Sequence, residues 1–169
     1  RDMEGLAAER AAANATAADL EVIESVFQRL EAAAGKRDSG EAAALDAEFH
    51  MAIVEAAHNV VMLHMLRSLS ELLVQGVFYN RNVVYGLREG RARLMEQHRE
   101  IRDAVVARDP ARARAAVEAH MDYVRDALVE ADRRRTREEI AELRQLHEAR
   151  RAARPRSRRA GSQRRQAAE

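Results

Sequence analysis

The stretch LMEQHREIRDAVVARDPARARAAVEAHMDYVRDALV, residues 94–129, decides the fold. It reads as two amphipathic helices joined at one break. Leu94, His98, Ile101 and Val105 recur at three- and four-residue steps before the break, and Ala113, Val117, His120, Val124 and Leu128 do so after it. The break falls at Asp109-Pro110, because proline opens a helix readily and disrupts its interior. His98 lies 11 residues before Asp109 and His120 lies 11 after it. An antiparallel hairpin folded there sets two imidazoles at one height, facing across the groove.

A second half-site lies upstream. In LDAEFHMAIVEAA, residues 45–57, Asp46 and His50 are four residues apart and share one helical face about a turn apart. Each of the four polar residues falls in register with an apolar stripe, so folding carries all of them inward. A lone buried imidazole or carboxylate is costly unless something pairs it. One shared divalent metal ion satisfies all four, and Asp46, His50, His98 and His120 are the candidate metal ligands. Three neutral imidazoles and a carboxylate suit Zn²⁺, Ni²⁺, Mn²⁺, Co²⁺ or Fe²⁺ better than Mg²⁺ or Ca²⁺. His58 and His64 have no partner at ligand spacing, and His147 lies in a basic, solvated segment, so these three are left out.

Working outward, the body is helical throughout. An alanine-rich first helix spans about residues 2–14, Thr16 caps a second that runs to Gly35, and KRDSGE, residues 36–41, is a turn. The third helix carries Asp46 and His50 and ends near Ala57; Asn59 caps a fourth over VVMLHMLRSLSELLVQGVF, residues 60–78. Two more follow, at about 90–108 and from 110 to 132 or beyond. Aromatic residues make up only 4% and no segment alternates as a strand would, so the fold class is all-α, an antiparallel bundle of six or seven helices.

Charge divides the chain unevenly. Residues 1–132 carry a net charge of −7 and residues 133–169 one of +8, which together give the overall +1. The body, 1–132, reads as one domain. The segment 133–150 is able to prolong the last helix, whereas the remainder, with Pro155, Gly161 and no large apolar residue, reads as a disordered basic tail. There is no cysteine for a disulfide or thiolate ligand, and no apolar run reaches the roughly 20 residues of a membrane span. The expectation is a cytoplasmic protein that engages no membrane. The chain opens on Arg1 rather than Met and reads as part of something longer.

These helices resemble a known family. Residues 1–20 follow R..E..AA..AA..AT...L; then come Asp46 and His50 with Phe49 between them, Asn59 just after Ala-Ala-His, and H..I..AVVARDPARARAAVEAHM at 98–121. The pattern resembles the effector-binding FCD domain of GntR-type transcription regulators of the FadR subfamily, over nearly the whole body. The resemblance implies a homodimeric ligand sensor, with a divalent metal on the Asp and three His helping to hold a small carboxylate effector. It also implies DNA contact through a winged helix-turn-helix domain that precedes the sensor and is not encoded in this chain. Arg81, whose guanidinium fork fits a carboxylate, and Asn59 are the candidate effector contacts.

Other classes fit less well. A closed tetrahedral centre would make the metal purely structural and leave a helical dimerisation module. A ferritin-like di-iron site needs two Glu-x-x-His motifs, and the chain has one, Glu55 to His58. A metallohydrolase needs a general base beside an open metal, and Glu48, two residues from His50, points elsewhere. No catalytic residue is assigned and the chain is not expected to be an enzyme.

Overall fold

The computed structural model describes residues 1–35, 39–69, 84 and 90–153. Among them are six helices and no strand: α1 Asp2–Asn14, α2 Ala17–Ala34, α3 Ser39–Ala56, α4 over 60–69, α5 Gly90–Val106 and α6 Pro110–Ala153. Residues 70–78 of the expected fourth helix lie outside the described residues, and the other element bounds agree with the sequence reading except at two places. Ser39, Gly40 and Glu41, expected in a turn, form the first turn of α3. The last helix, expected to run to 132 or beyond with 133–150 able to prolong it, continues to Ala153, so residues 151–153 are helical where a disordered tail was expected. Two compact units result, Arg1–Ala131 and Asp132–Glu169.

In the first unit the apolar stripes meet in one cluster. Ile23, Phe27 and Leu30 from α2 pack with Leu45, Phe49 and Ile53 from α3, with Ile101 and Val105 from α5 and with Ala113 and Val117 from α6. The alanine face of α1, residues 8, 11 and 12, completes it. Small side chains let helices approach closely, and α1 shows this at Gly5, where an added Cβ would come within 3.0 Å of Glu118 Cγ on α6. A smaller cluster of Ala7, Val54, Ala57, Met62 and Leu66 joins α1, α3 and α4. Ion pairs such as Arg29 with Glu48 and Arg114 with Glu9 tie neighbouring helices at the surface, where such pairs contribute little individually.

Helix ends follow local chemistry. Thr16 caps α2 in a reciprocal box: its hydroxyl accepts the Asp19 N–H at 3.2 Å, while an Asp19 carboxylate oxygen accepts the Thr16 N–H at 2.7 Å. The same carboxylate oxygen lies 2.8 Å from His58 Nε2, which pins the end of α3 to the start of α2. Gly35 ends α2 in right-handed backbone, so no left-handed glycine turn is used there. The left-handed positions belong instead to His58 and Arg108, at φ 49° and 55°.

The box at Thr16 has a testable consequence. Hydrogen bonds from the Thr16 hydroxyl and then its backbone N–H hold the Asp19 carboxyl below its ordinary range, against a smaller upward push from burial. A carboxylate depressed in the folded state stabilises above its unfolded value, near 3.9, and loses that contribution as pH falls through the folded value. Thr16→Ala is expected to destabilise the chain by about 1 kcal/mol at pH 7 in urea unfolding, with the difference shrinking below about pH 4.

In the second unit, residues 132–151 are exposed helix, including Ile140, Leu143 and Leu146, with Arg135 bridging Asp132 and Glu139. Residues 154–169, expected to be disordered, lie outside the described residues, as does Arg81. Among the described residues no helix is long and apolar enough to cross a membrane.

Candidate metal centre

The corner between α5 and α6 fixes the site's geometry. Arg108 N–H bonds to the Val105 carbonyl at 3.0 Å and Asp109 N–H to the Ala104 carbonyl at 3.1 Å, the paired closure that satisfies the last carbonyls of a helix. Asp109 then caps α6 by accepting the Arg112 N–H at 3.0 Å, and Pro110 begins the helix. Arg112 reaches back to α5 with two bonds to the Glu100 carboxylate, at 2.7 and 2.9 Å, which hold that carboxyl below its ordinary range. The chain therefore reverses within a few residues, and the two helices run antiparallel from the first turn.

Eleven residues up each helix the imidazoles meet. The ring centroids of His98 and His120 are 4.6 Å apart, and both side chains are buried, at 0% and 3% exposure. His50 from α3 closes the group, with centroids 5.4 Å from His98 and 5.1 Å from His120. One nitrogen from each of His50, His98 and His120 lies within 4.8 Å of the others. Asp46, one turn before His50, enters from the side: its Oδ1 is 2.9 Å from His98 Nε2. Behind the cluster stands Phe49, fully buried, its ring edge-on to His50 and His98 at 5.8 and 5.5 Å.

The donor set fits a metal ion on two grounds. Two ligands about 2.1 Å from one cation lie roughly 3.0 Å apart at a right angle and roughly 3.4 Å apart at a tetrahedral angle. The 2.9 Å contact and the 4.8 Å limit bracket that range, so small side-chain adjustments suffice. Second, His50 Nε2 is buried with no hydrogen-bond partner among the described residues, a position that leaves about 1–3 kcal/mol of desolvation unoffset until something coordinates or bonds it.

Sequence reasoning missed a fifth participant. His120 Nδ1 lies 3.2 Å from the side-chain oxygen of Gln97, which sits on α5 one residue before His98. No periodicity announces it, because residue 97 is rotated about 100° from the stripe that carries His98. Of the candidate effector contacts, Asn59 uses its Oδ1 to accept the Met62 N–H at 3.1 Å, capping α4 as its sequence position suggested. His64 and His147 are exposed, and His58 is engaged with Asp19.

Inside an all-α bundle, three imidazoles and a carboxylate thus converge from three helices. Residues 1–123 match the FCD domain, and the chain belongs to that family, the effector-binding domain of GntR-type transcription regulators. It is 34% identical over 130 residues to the putative L-lactate dehydrogenase operon regulatory protein of Escherichia coli K12, covering 77% of this chain and 49% of that protein. It is also 34% identical over 129 residues to the Glc operon transcriptional activator of the same strain, covering 75% and 51%. With the HTH-type transcriptional regulator LutR of Bacillus subtilis 168 it shares 33% identity over 119 residues, covering 70% and 53%. The chain thus spans about half the length of these relatives, which are regulators and not enzymes. A solved structure, E. coli McbR/YncC, shares the fold at a TM-score of 0.63 with 19% identity, over 78% of this chain and 63% of that one.

Proposed function

We propose that the chain is the ligand-sensing domain of a metabolite-responsive transcription regulator. In this reading Asp46, His50, His98 and His120 hold a divalent ion, with zinc, nickel or manganese as the metals of choice, and the ion helps bind a small carboxylate effector. The convergence of three imidazole nitrogens within 4.8 Å inside the bundle is the observation that supports it most directly. When bound, the ion would supply a Lewis-acidic point for the effector's oxygens. Arg81 and the amide nitrogen of Asn59 are the protein groups proposed to meet the effector's carboxylate. One relative takes its name from an L-lactate dehydrogenase operon, which makes a 2-hydroxy acid the first class to test.

The ligands come from α3, α5 and α6, so an effector that engages the centre stabilises one packing of these helices over others. Only that differential stabilisation is able to shift a two-state equilibrium. The regulator is proposed to act as a cytoplasmic homodimer that meets DNA through a domain outside this chain. Thermal unfolding of the metal-loaded chain against a panel of 2-hydroxy acids and dicarboxylates tests the reading. A true effector at a hundredfold excess over Kd should stabilise by about 2.7 kcal/mol, which raises Tm by several degrees. If no carboxylate shifts Tm while metal is bound, the sensor reading gives way to a purely structural ion.

A further inference from the structure

We propose that Gln97 is a positioning residue for the centre: it fixes which nitrogen His120 offers inward and does so without adding charge. The proposal rests on the metal-binding reading above and goes beyond it. The contact itself is direct, with His120 Nδ1 3.2 Å from the Gln97 side-chain oxygen, between a buried ring on α6 and a half-buried amide on α5. An amide oxygen only accepts, so Nδ1 carries the hydrogen and Nε2 keeps its lone pair. Held this way, His120 presents a donor nitrogen and cannot turn about its ring axis. Metal-bound histidines commonly have their second nitrogen fixed by a neighbouring acceptor, and losing such an acceptor typically lowers metal affinity 10- to 100-fold.

The choice of amide over carboxylate has its own consequence. A divalent ion on Asp46 and three neutral imidazoles leaves the centre with one net positive charge, and Gln97 leaves that charge intact. A glutamate at 97 would make the same hydrogen bond to His120 while cancelling the charge. The amide therefore keeps the centre attractive to an anion, and we assign to Gln97 part of the centre's attraction for an anionic ligand.

Two variants separate positioning from charge, with Co²⁺ as the metal probe and azide as the anion probe. Both are read by titration of the metal-stripped chain and by the visible absorption of the Co²⁺ complex. Gln97→Leu is expected to bind Co²⁺ 10- to 100-fold more weakly with an altered spectrum, and Gln97→Glu to bind it at least as tightly as the native chain. In the Co²⁺-loaded chains, Gln97→Glu is expected to bind azide about tenfold more weakly than the native protein. Native-like Co²⁺ affinity in Gln97→Leu would overturn the positioning role. Undiminished azide binding in Gln97→Glu, or a native Co²⁺ centre that takes up no azide, would overturn the charge assignment. A native chain that binds no Co²⁺ at all would remove the metal reading and this inference together, a result distinct from either of the others.

Discussion

A chain carrying both His98→Ala and His120→Ala is expected to emerge from chelator-free purification with essentially no divalent metal, where the native chain carries about one ion. These two rings are the most deeply buried of the proposed ligands, and they supply the α5 and α6 sides of the centre. Without them, one imidazole and one carboxylate remain on α3, too few to hold an ion in competition with water. The thermal behaviour should follow. If the native chain is loaded at a thousandfold excess over Kd, stripping the ion removes about 4 kcal/mol, which lowers Tm by roughly ten degrees. The double variant should be indifferent to chelator, and His64→Ala, altering an exposed ring on α4, should behave as the native chain does. Metal content measured by mass spectrometry decides the matter: an undiminished ion in the double variant would place it elsewhere.

The second large effect concerns the wall behind the centre. Phe49→Ala is expected to destabilise the chain by about 3–5 kcal/mol in urea unfolding, a large share of the roughly 5–15 kcal/mol available to a domain. Phe49 is fully buried and meets Phe27 at 5.9 Å with rings tilted 58°, so its removal opens a cavity between α2 and α3. It also removes the ring against which His50 and His98 stand edge-on. Metal affinity should therefore fall along with stability, although Phe49 donates no ligand atom. Phe49→Leu, which refills most of the volume, should lose under about 1.5 kcal/mol. A cost below 1 kcal/mol for the alanine variant would show that the cluster does not lean on this ring.

Much of this arrangement was legible in the residues alone, for a physical reason. Helical periodicity and a single proline fix where α5 and α6 face each other, and equal distances from Asp109 fix the height at which His98 and His120 meet. The pairing of Asp46 with His50 needs only the helical repeat. That Asp46 would contact His98 directly was not accessible, because the lateral offset of α3 against α5 depends on packing of side chains distant in sequence. Gln97 escaped for a similar reason: its partner lies on another helix and its own position is off the stripe. At the other end, the helical start at Ser39 was hidden by a segment rich in turn-forming residues, which the packing of Ala42, Ala43 and Leu45 overrides. Reach beyond residue 132 was open in the sequence, since charged residues at three- and four-residue spacing support a helix there.

The short corner at Arg108 and Asp109 makes the spacing between the two facing histidines a matter of counting. Each residue inserted between His98 and His120 on either helix would swing one ring by about 100° and slide it about 1.5 Å, so a single codon gained or lost would aim an imidazole out of the bundle. The length of this stretch is thus locked, and the interval works as a ruler that any descendant retaining the centre has to inherit unchanged.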